Sequence, residues 1–235
     1  MTLAVNARFL TQKTTGVQRF AAEVTRALAA RGTALRLLAP QGAPPRFDAL
    51  PVEQVGRRAG QAWEQIDLPR AAGGELLLNL GNTAPLLRGG NQAVVIHDAG
   101  VFDTPESYSL PFRAWYRALH LILPRRGARI ITVSGFSRAR LAARLRIDAE
   151  RIAVMPEGGE HVLRAAADPA ILARCGLAPR GYALAVGTRA AHKNLGALRD
   201  AAALLASRGM VLAVAGGVEG SAFSGAADTA GSAVR

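Results

Sequence analysis

The sequence predicts an α/β protein built on a parallel sheet, and three observations carry that expectation. Short Val/Ile/Leu/Ala runs recur along the chain, each four to six residues long. Longer stretches with apolar residues at helical spacing lie between them. The short runs are apolar almost throughout rather than alternating, as in strands buried on both faces.

Taken in order, the first strand is expected at Leu3–Arg8, followed by a helix over Val17–Ala30. Val17, Phe20, Ala21, Val24 and Leu28 share one face of that helix, and Gly32 stops it. Further strands are expected at Ala34–Ala39, Glu75–Asn79, Ala93–His97, Ile130–Val133 and Ile152–Met155. After the run IITVS, residues Ser137–Leu145 read as another helix, with Ser134 or Ser137 as its cap. Residues 156–180 are rich in Pro and Gly and read as a linker. A new βαβ unit follows: strand Tyr182–Val186, helix His192–Ser207, strand Val211–Ala215. The domain boundary is therefore placed at 1–165 and 166–235. Two strands and one helix cover little of their own apolar surface, so the second unit reads as an incomplete start of a domain.

Composition narrows the function less than it first suggests. The net charge of +12 comes from 29 basic residues, of which only Lys13 and Lys193 are lysine. Such a chain suits anionic partners, but the arginines are scattered, as an arginine- and alanine-rich coding bias would also leave them. A nucleic-acid-binding role is the weakest reading, because no helix-turn-helix, zinc-finger or aromatic RNA-binding pattern occurs. The single Cys175 excludes an internal disulfide and a cysteine-built metal site. The N-terminus MTLAVNARFL lacks the pattern of a signal peptide, and the expected location is cytoplasmic. The segment PFRAWYRALHLILPRR mixes aromatics with arginines. It reads either as a helix packed on the sheet or as a peripheral contact with the inner face of a membrane.

Ligands of open α/β sheets bind beyond the carboxyl ends of the strands, which singles out four stretches. In LTQKTTGVQRF, Thr15 and Gly16 stand at a helix start, where free N–H groups and the dipole favour an anion. In AVVIHDAG, His97 and Asp98 emerge from a strand. The imidazole fits contact with a sugar hydroxyl or proton transfer, with the carboxylate as its orienting partner; a backbone cap is the simpler alternative. In VSGFSR, Ser134, Ser137 and Arg138 serve as helix caps or touch an anion. In GTRAAHKNL, Arg189 offers a planar donor fork and Lys193 a compact charge, a pair suited to a diphosphate. The dinucleotide and Walker glycine patterns are both missing.

Together and in this order, VNARFLTQKTTGVQRF, VVIHDAGVF, IITVSGFSR and ALAVGTRAAHKNL resemble the glycosyltransferases of family 4, also called group 1. The resemblance covers essentially the whole chain. It implies the GT-B type of fold: a Rossmann-like N-terminal domain on the acceptor side, and the opening βαβ of a second, donor-binding Rossmann-like domain. It implies retaining transfer of a hexose, with mannose from GDP-mannose as the expected donor, to a saccharide or lipid-linked acceptor in polysaccharide synthesis. No cofactor or metal is implied, and no Asp-x-Asp pattern is present. By resemblance Gly16 meets the donor diphosphate, His97 the transferred sugar, and Arg189 with Lys193 clamp the diphosphate from the other side.

Two departures stand out. Thr188 occupies the position where many relatives place an arginine, and Glu157-Gly158 replaces a common Asn-Gly near the linker. The family's pair of glutamates seven residues apart does not appear before Arg235, so the expectation is a C-terminally truncated enzyme that is inactive alone. The alternative is a non-catalytic sugar- or phosphate-binding remnant, or a half-enzyme that needs a partner.

Overall fold

The computed structural model describes residues 2–187, 194 and 197–216. Its residues group into two units, 1–99 with 115–161 and 100–114 with 162–235.

The first unit holds an eight-stranded sheet. Its strands are β1 (Leu3–Asn6), β2 (Leu35–Ala39), β3 (Arg46–Phe47), β4 (Leu50–Gln54), β5 (Leu76–Asn79), β6 (Gln92–Val95), β7 (Arg129–Thr132) and β8 (Ile152–Val154). The spatial order is β3-β4-β2-β1-β5-β6-β7-β8. Every pairing is parallel except the short β3–β4 hairpin. The α/β class and the parallel sheet are as the apolar runs predict. Six of the eight strands fall within a residue or two of their expected places.

Two differences are instructive. The first strand stops at Asn6 rather than Arg8, because Asn6 caps a 3₁₀ turn over Ala7–Thr11 by accepting the Arg8 N–H at 3.3 Å. The hairpin and β4 were not expected, since LPVEQ carries one proline and two polar residues and lies half exposed near the edge.

Helix α1 (Gly16–Ala30) leaves the loop after β1 and ends before Gly32, whose φ of +75° makes the left-handed stop. Between β4 and β5 the chain forms α2 (Gly60–Ala62), a π-helical turn (Trp63–Asp67) and α3 (Leu68–Ala72). The helix α4 (Gly100–Asp103) is followed by α5 (Leu110–Arg125) and α6 (Gly135–Leu145). Ser134 caps α6 by accepting the Ser137 N–H at 3.0 Å, as its sequence position suggests.

Strand alternation sorts the core into two layers. Val5, Leu37, Leu78 and Val95 pack with Phe20 and Ala21 of α1 on one face. Ala4, Leu38 and Leu77 pack with Trp63, Leu68 and Ala72 on the other. Trp63 is fully buried, and its indole N–H donates to the Val55 carbonyl at 2.8 Å. Side chains that point opposite ways from neighbouring residues therefore each find an apolar cover, which is why these strands tolerate no polar alternation.

In the second unit α7 (Ile171–Arg174) precedes β9 (Tyr182–Val186), α8 (Leu198–Ala206) and β10 (Val211–Ala215). The two strands pair in parallel from Tyr182↔Val211 to Val186↔Ala215. Leu184 and Val186 are exposed at 58% and 77%. Of the expected helix His192–Ser207, the described part begins at Leu198; His192 and Lys193 lie outside the described residues.

Candidate active site

The carboxyl ends of β1, β5, β6 and β8 bring a set of polar residues to one rim of the first unit. His97 follows β6 and is buried. Its backbone N–H donates to Asn82 Oδ1 at 2.8 Å. Its Nε2 lies 3.1 Å from the Leu80 carbonyl, and its Nδ1 lies 3.0 Å from Glu157 Oε1. The carbonyl can only accept, so Nε2 carries a hydrogen. Phe20 of α1 meets the ring edge-on with centroids 4.8 Å apart. The imidazole is thus fixed on three sides.

Asp98 was expected to orient His97, but the carboxylate on the ring belongs to Glu157. Successive residues leaving a strand diverge, and Asp98 is exposed while His97 turns inward. The Asp98 charge acts on His120 of α5 instead. Burial pushes the His120 imidazole down to about 4, outweighing both its bond to the Asn82 carbonyl and the Asp98 charge. His120 is therefore neutral, and its Nε2 donates to that carbonyl at 2.9 Å. Asn82 adopts a left-handed backbone, with φ of +66°, and so ties both histidines to the β5 loop.

Thr15 and Gly16 stand at the start of α1 as the sequence indicated. The Thr15 N–H donates to Gln18 Oε1 at 3.1 Å, the Thr15 carbonyl accepts from Arg19 at 2.9 Å, and the Thr15 hydroxyl contacts the same Gln18 oxygen. The helix start is therefore closed by its own side chain at Thr15. Gly16 is exposed, and a Cβ there would meet nothing within 4 Å. The open space lies in front of a helix end, where N–H groups favour an anion. Arg189 and Lys193, the expected diphosphate clamp, lie outside the described residues.

Behind this rim runs a polar chain that sequence reading missed. Arg8 reaches Glu64 Oε2 at 3.1 Å and Thr83 Oγ1 at 3.1 Å. Asn6 donates to the same Glu64 oxygen at 3.2 Å and to Asn79 Oδ1 at 3.1 Å. Asn79 then donates to the Ala93 carbonyl at 3.2 Å, and Gln92 to the Pro85 carbonyl at 2.8 Å. Arg8 and Asn6 were within reach of the strand-end rule. Glu64 was not, because it sits in a π-helical turn whose sequence WEQID has no regular period.

The sequence model of Glycosyltransferase Family 4 matches residues 14–159, which include the α1 start, His97 and Glu157. The chain belongs to glycosyltransferase family 4. No curated protein matches it. Among solved structures, the UDP-N-acetylglucosamine 2-epimerase from Rickettsia bellii is similar at 13% identity, with a TM-score of 0.49. That comparison covers 92% of this chain and 61% of the epimerase chain. The family-4 sheet and its crossover helices are Rossmann-like, as in GT-B enzymes. Among the described residues no helix is long and apolar enough to cross a membrane.

Proposed function

We propose that the protein acts in nucleotide-sugar-dependent transfer of a hexose, with retention, to a saccharide or lipid-linked acceptor in glycan synthesis. The observation that carries this is the packing of Phe20 of α1 on the His97 ring, with Gly16 exposed at the start of the same helix, within the span matched by the family. In this reading residues 1–165 supply the acceptor side, and 166–235 supply donor contacts through Arg189 and Lys193.

The chemistry needs stabilisation of the charge that develops on the departing diphosphate. Gly16 N–H and the α1 dipole supply part of it, and the two cations supply the rest. His97 meets the transferred sugar. Its Nε2 side is sealed by a backbone carbonyl, so the sugar hydroxyl approaches Nδ1 and replaces the exposed Glu157 carboxylate. Transfer is metal-independent in this reading, in keeping with the missing Asp-x-Asp pattern. Mannose from GDP-mannose is the donor of first choice.

The test is binding of GDP-mannose, then of UDP-glucose and UDP-N-acetylglucosamine, by calorimetry on the full chain, with turnover measured on the same samples. His97→Ala is expected to weaken sugar-nucleotide binding while leaving that of the free nucleoside diphosphate unchanged. Equal weakening of both ligands would remove His97 from the sugar site. Absence of nucleotide binding altogether would sink the reading.

A further inference from the structure

Beyond the last paired residues of β5 and β6, Asn79↔Val94, one asparagine carries the contact a step further. The Asn82 N–H donates to the Val95 carbonyl at 3.0 Å, as a residue of a parallel strand would. The next bond of such a ladder would run from the His97 N–H to the Asn82 carbonyl. It runs instead to Asn82 Oδ1, at 2.8 Å. The left-handed backbone of Asn82 turns its carbonyl aside, where it accepts His120 Nε2 at 2.9 Å. The side-chain oxygen thus stands in for the main-chain oxygen, which is taken up by α5.

The other side of the same strand end is held by β7. The Ile96 N–H donates to the Ile131 carbonyl at 2.8 Å, and the fully buried Thr132 hydroxyl donates to the Ile96 carbonyl at 2.7 Å. The His97 main chain is therefore fixed between β7 and Asn82. With Nε2 on the Leu80 carbonyl, the ring keeps Nδ1 toward the exposed Glu157. Asn82 makes its contact from a backbone region that few side chains adopt. Residues held that way concentrate at ligand sites.

We infer that Asn82 is a positioning residue for the sugar contact made by His97. Its Oδ1 sets the strand end from which the imidazole presents Nδ1, and its carbonyl ties that setting to α5 through His120. The inference rests on the glycosyl-transfer reading above and adds the residue that fixes the geometry of its sugar-facing histidine. Asparagine suits both tasks. Glycine adopts the backbone but brings no oxygen, and alanine resists the backbone and brings none either.

Two substitutions in the full chain separate this role from plain packing. Asn82→Gly keeps the left-handed backbone, and with it the carbonyl for His120, but removes Oδ1. Asn82→Asp keeps an accepting oxygen on the same side chain. Heteronuclear NMR reads the His97 ring nitrogens. Calorimetry compares GDP-mannose, UDP-glucose and UDP-N-acetylglucosamine with free GDP and UDP, and melting temperatures check that both variants stay folded. In Asn82→Gly the His97 ring resonances are expected to move while the free nucleotide binds as before. The best-bound sugar nucleotide is expected to weaken roughly tenfold, the size of one hydrogen bond. Asn82→Asp is expected to restore both. Unmoved ring resonances in Asn82→Gly would overturn the inference and leave the glycosyl-transfer reading standing. So would sugar-nucleotide and free-nucleotide affinities that stay unchanged or fall by the same factor. A wild type that binds no sugar nucleotide would sink that reading, and the inference with it.

Discussion

His97 Nδ1 and Glu157 Oε1 lie 3.0 Å apart, although sixty residues separate them in the chain. The contact joins the end of β6 to the stretch that follows β8, and only its Glu157 side is exposed. Its place against the imidazole gives Glu157 a physical role: an exposed carboxylate holds the buried ring.

Removing the placeholder should therefore help the ligand. Glu157→Ala is expected to tighten sugar-nucleotide binding roughly fivefold. The ligand no longer displaces a hydrogen bond worth about 1 kcal/mol, nor faces a negative charge beside its diphosphate. Calorimetry decides the matter, and weaker binding in the variant would make Glu157 an orienting residue instead.

His120 should make stability depend on pH. Its imidazole is held down to about 4 in the fold, against an ordinary value near 6.5. Below pH 6.5 the unfolded chain binds a proton that the folded chain refuses. The stability contributed by neutral His120 is thus present above pH 6.5 and lost as pH falls toward 4, by up to about 3 kcal/mol. His120→Gln is expected to flatten that part of the melting-temperature profile relative to wild type. Parallel profiles would show that His120 protonates without cost.

Gly56 should resist any side chain. Its φ is +73°, and a Cβ there would clash with the Asp67 side chain. Asp67 Oδ2 there accepts the N–H groups of Arg57 at 3.2 Å and Arg58 at 2.9 Å, closing the turn that leads into the Trp63 helix. Gly56→Ala is expected to cost about 2 kcal/mol or more, combining left-handed strain with the clash. Denaturant unfolding measures it.

Arg146 offers the opposite case. It ends α6 with φ of +56° and ψ of +50°, the position that glycine usually fills. Arg146→Gly is expected to stabilise the fold by about 0.5–1 kcal/mol, the strain relieved less the added freedom of the unfolded chain. A lowered unfolding midpoint would show that the Arg146 side chain does more than cap.

What was readable from the sequence follows from how many residues share a signal. The central strands announce themselves because a strand covered on both faces must be largely apolar, as Val5, Leu38 and Leu78 show. His97 and the α1 start were legible because a strand end and a helix start are local features. Glu157 on His97 was not, since neither stretch carries any mark of the other. Glu64 was hidden for a different reason. A π-helical turn breaks the period by which helices are found, and its partners Asn6 and Arg8 come from a strand end far along the chain.

The β3–β4 hairpin has one more consequence. A parallel sheet with a long bare margin exposes a row of amide and carbonyl groups on which a neighbouring chain can add its own strand. Here that margin narrows to Arg46 and Phe47, with Phe47 turned into the core and Arg46 bound back to the Ala49 carbonyl at 2.7 Å. The opposite margin, β8, is three residues long. Both sides of this sheet taper to almost nothing, which leaves the first unit little template for ordered self-association at high concentration.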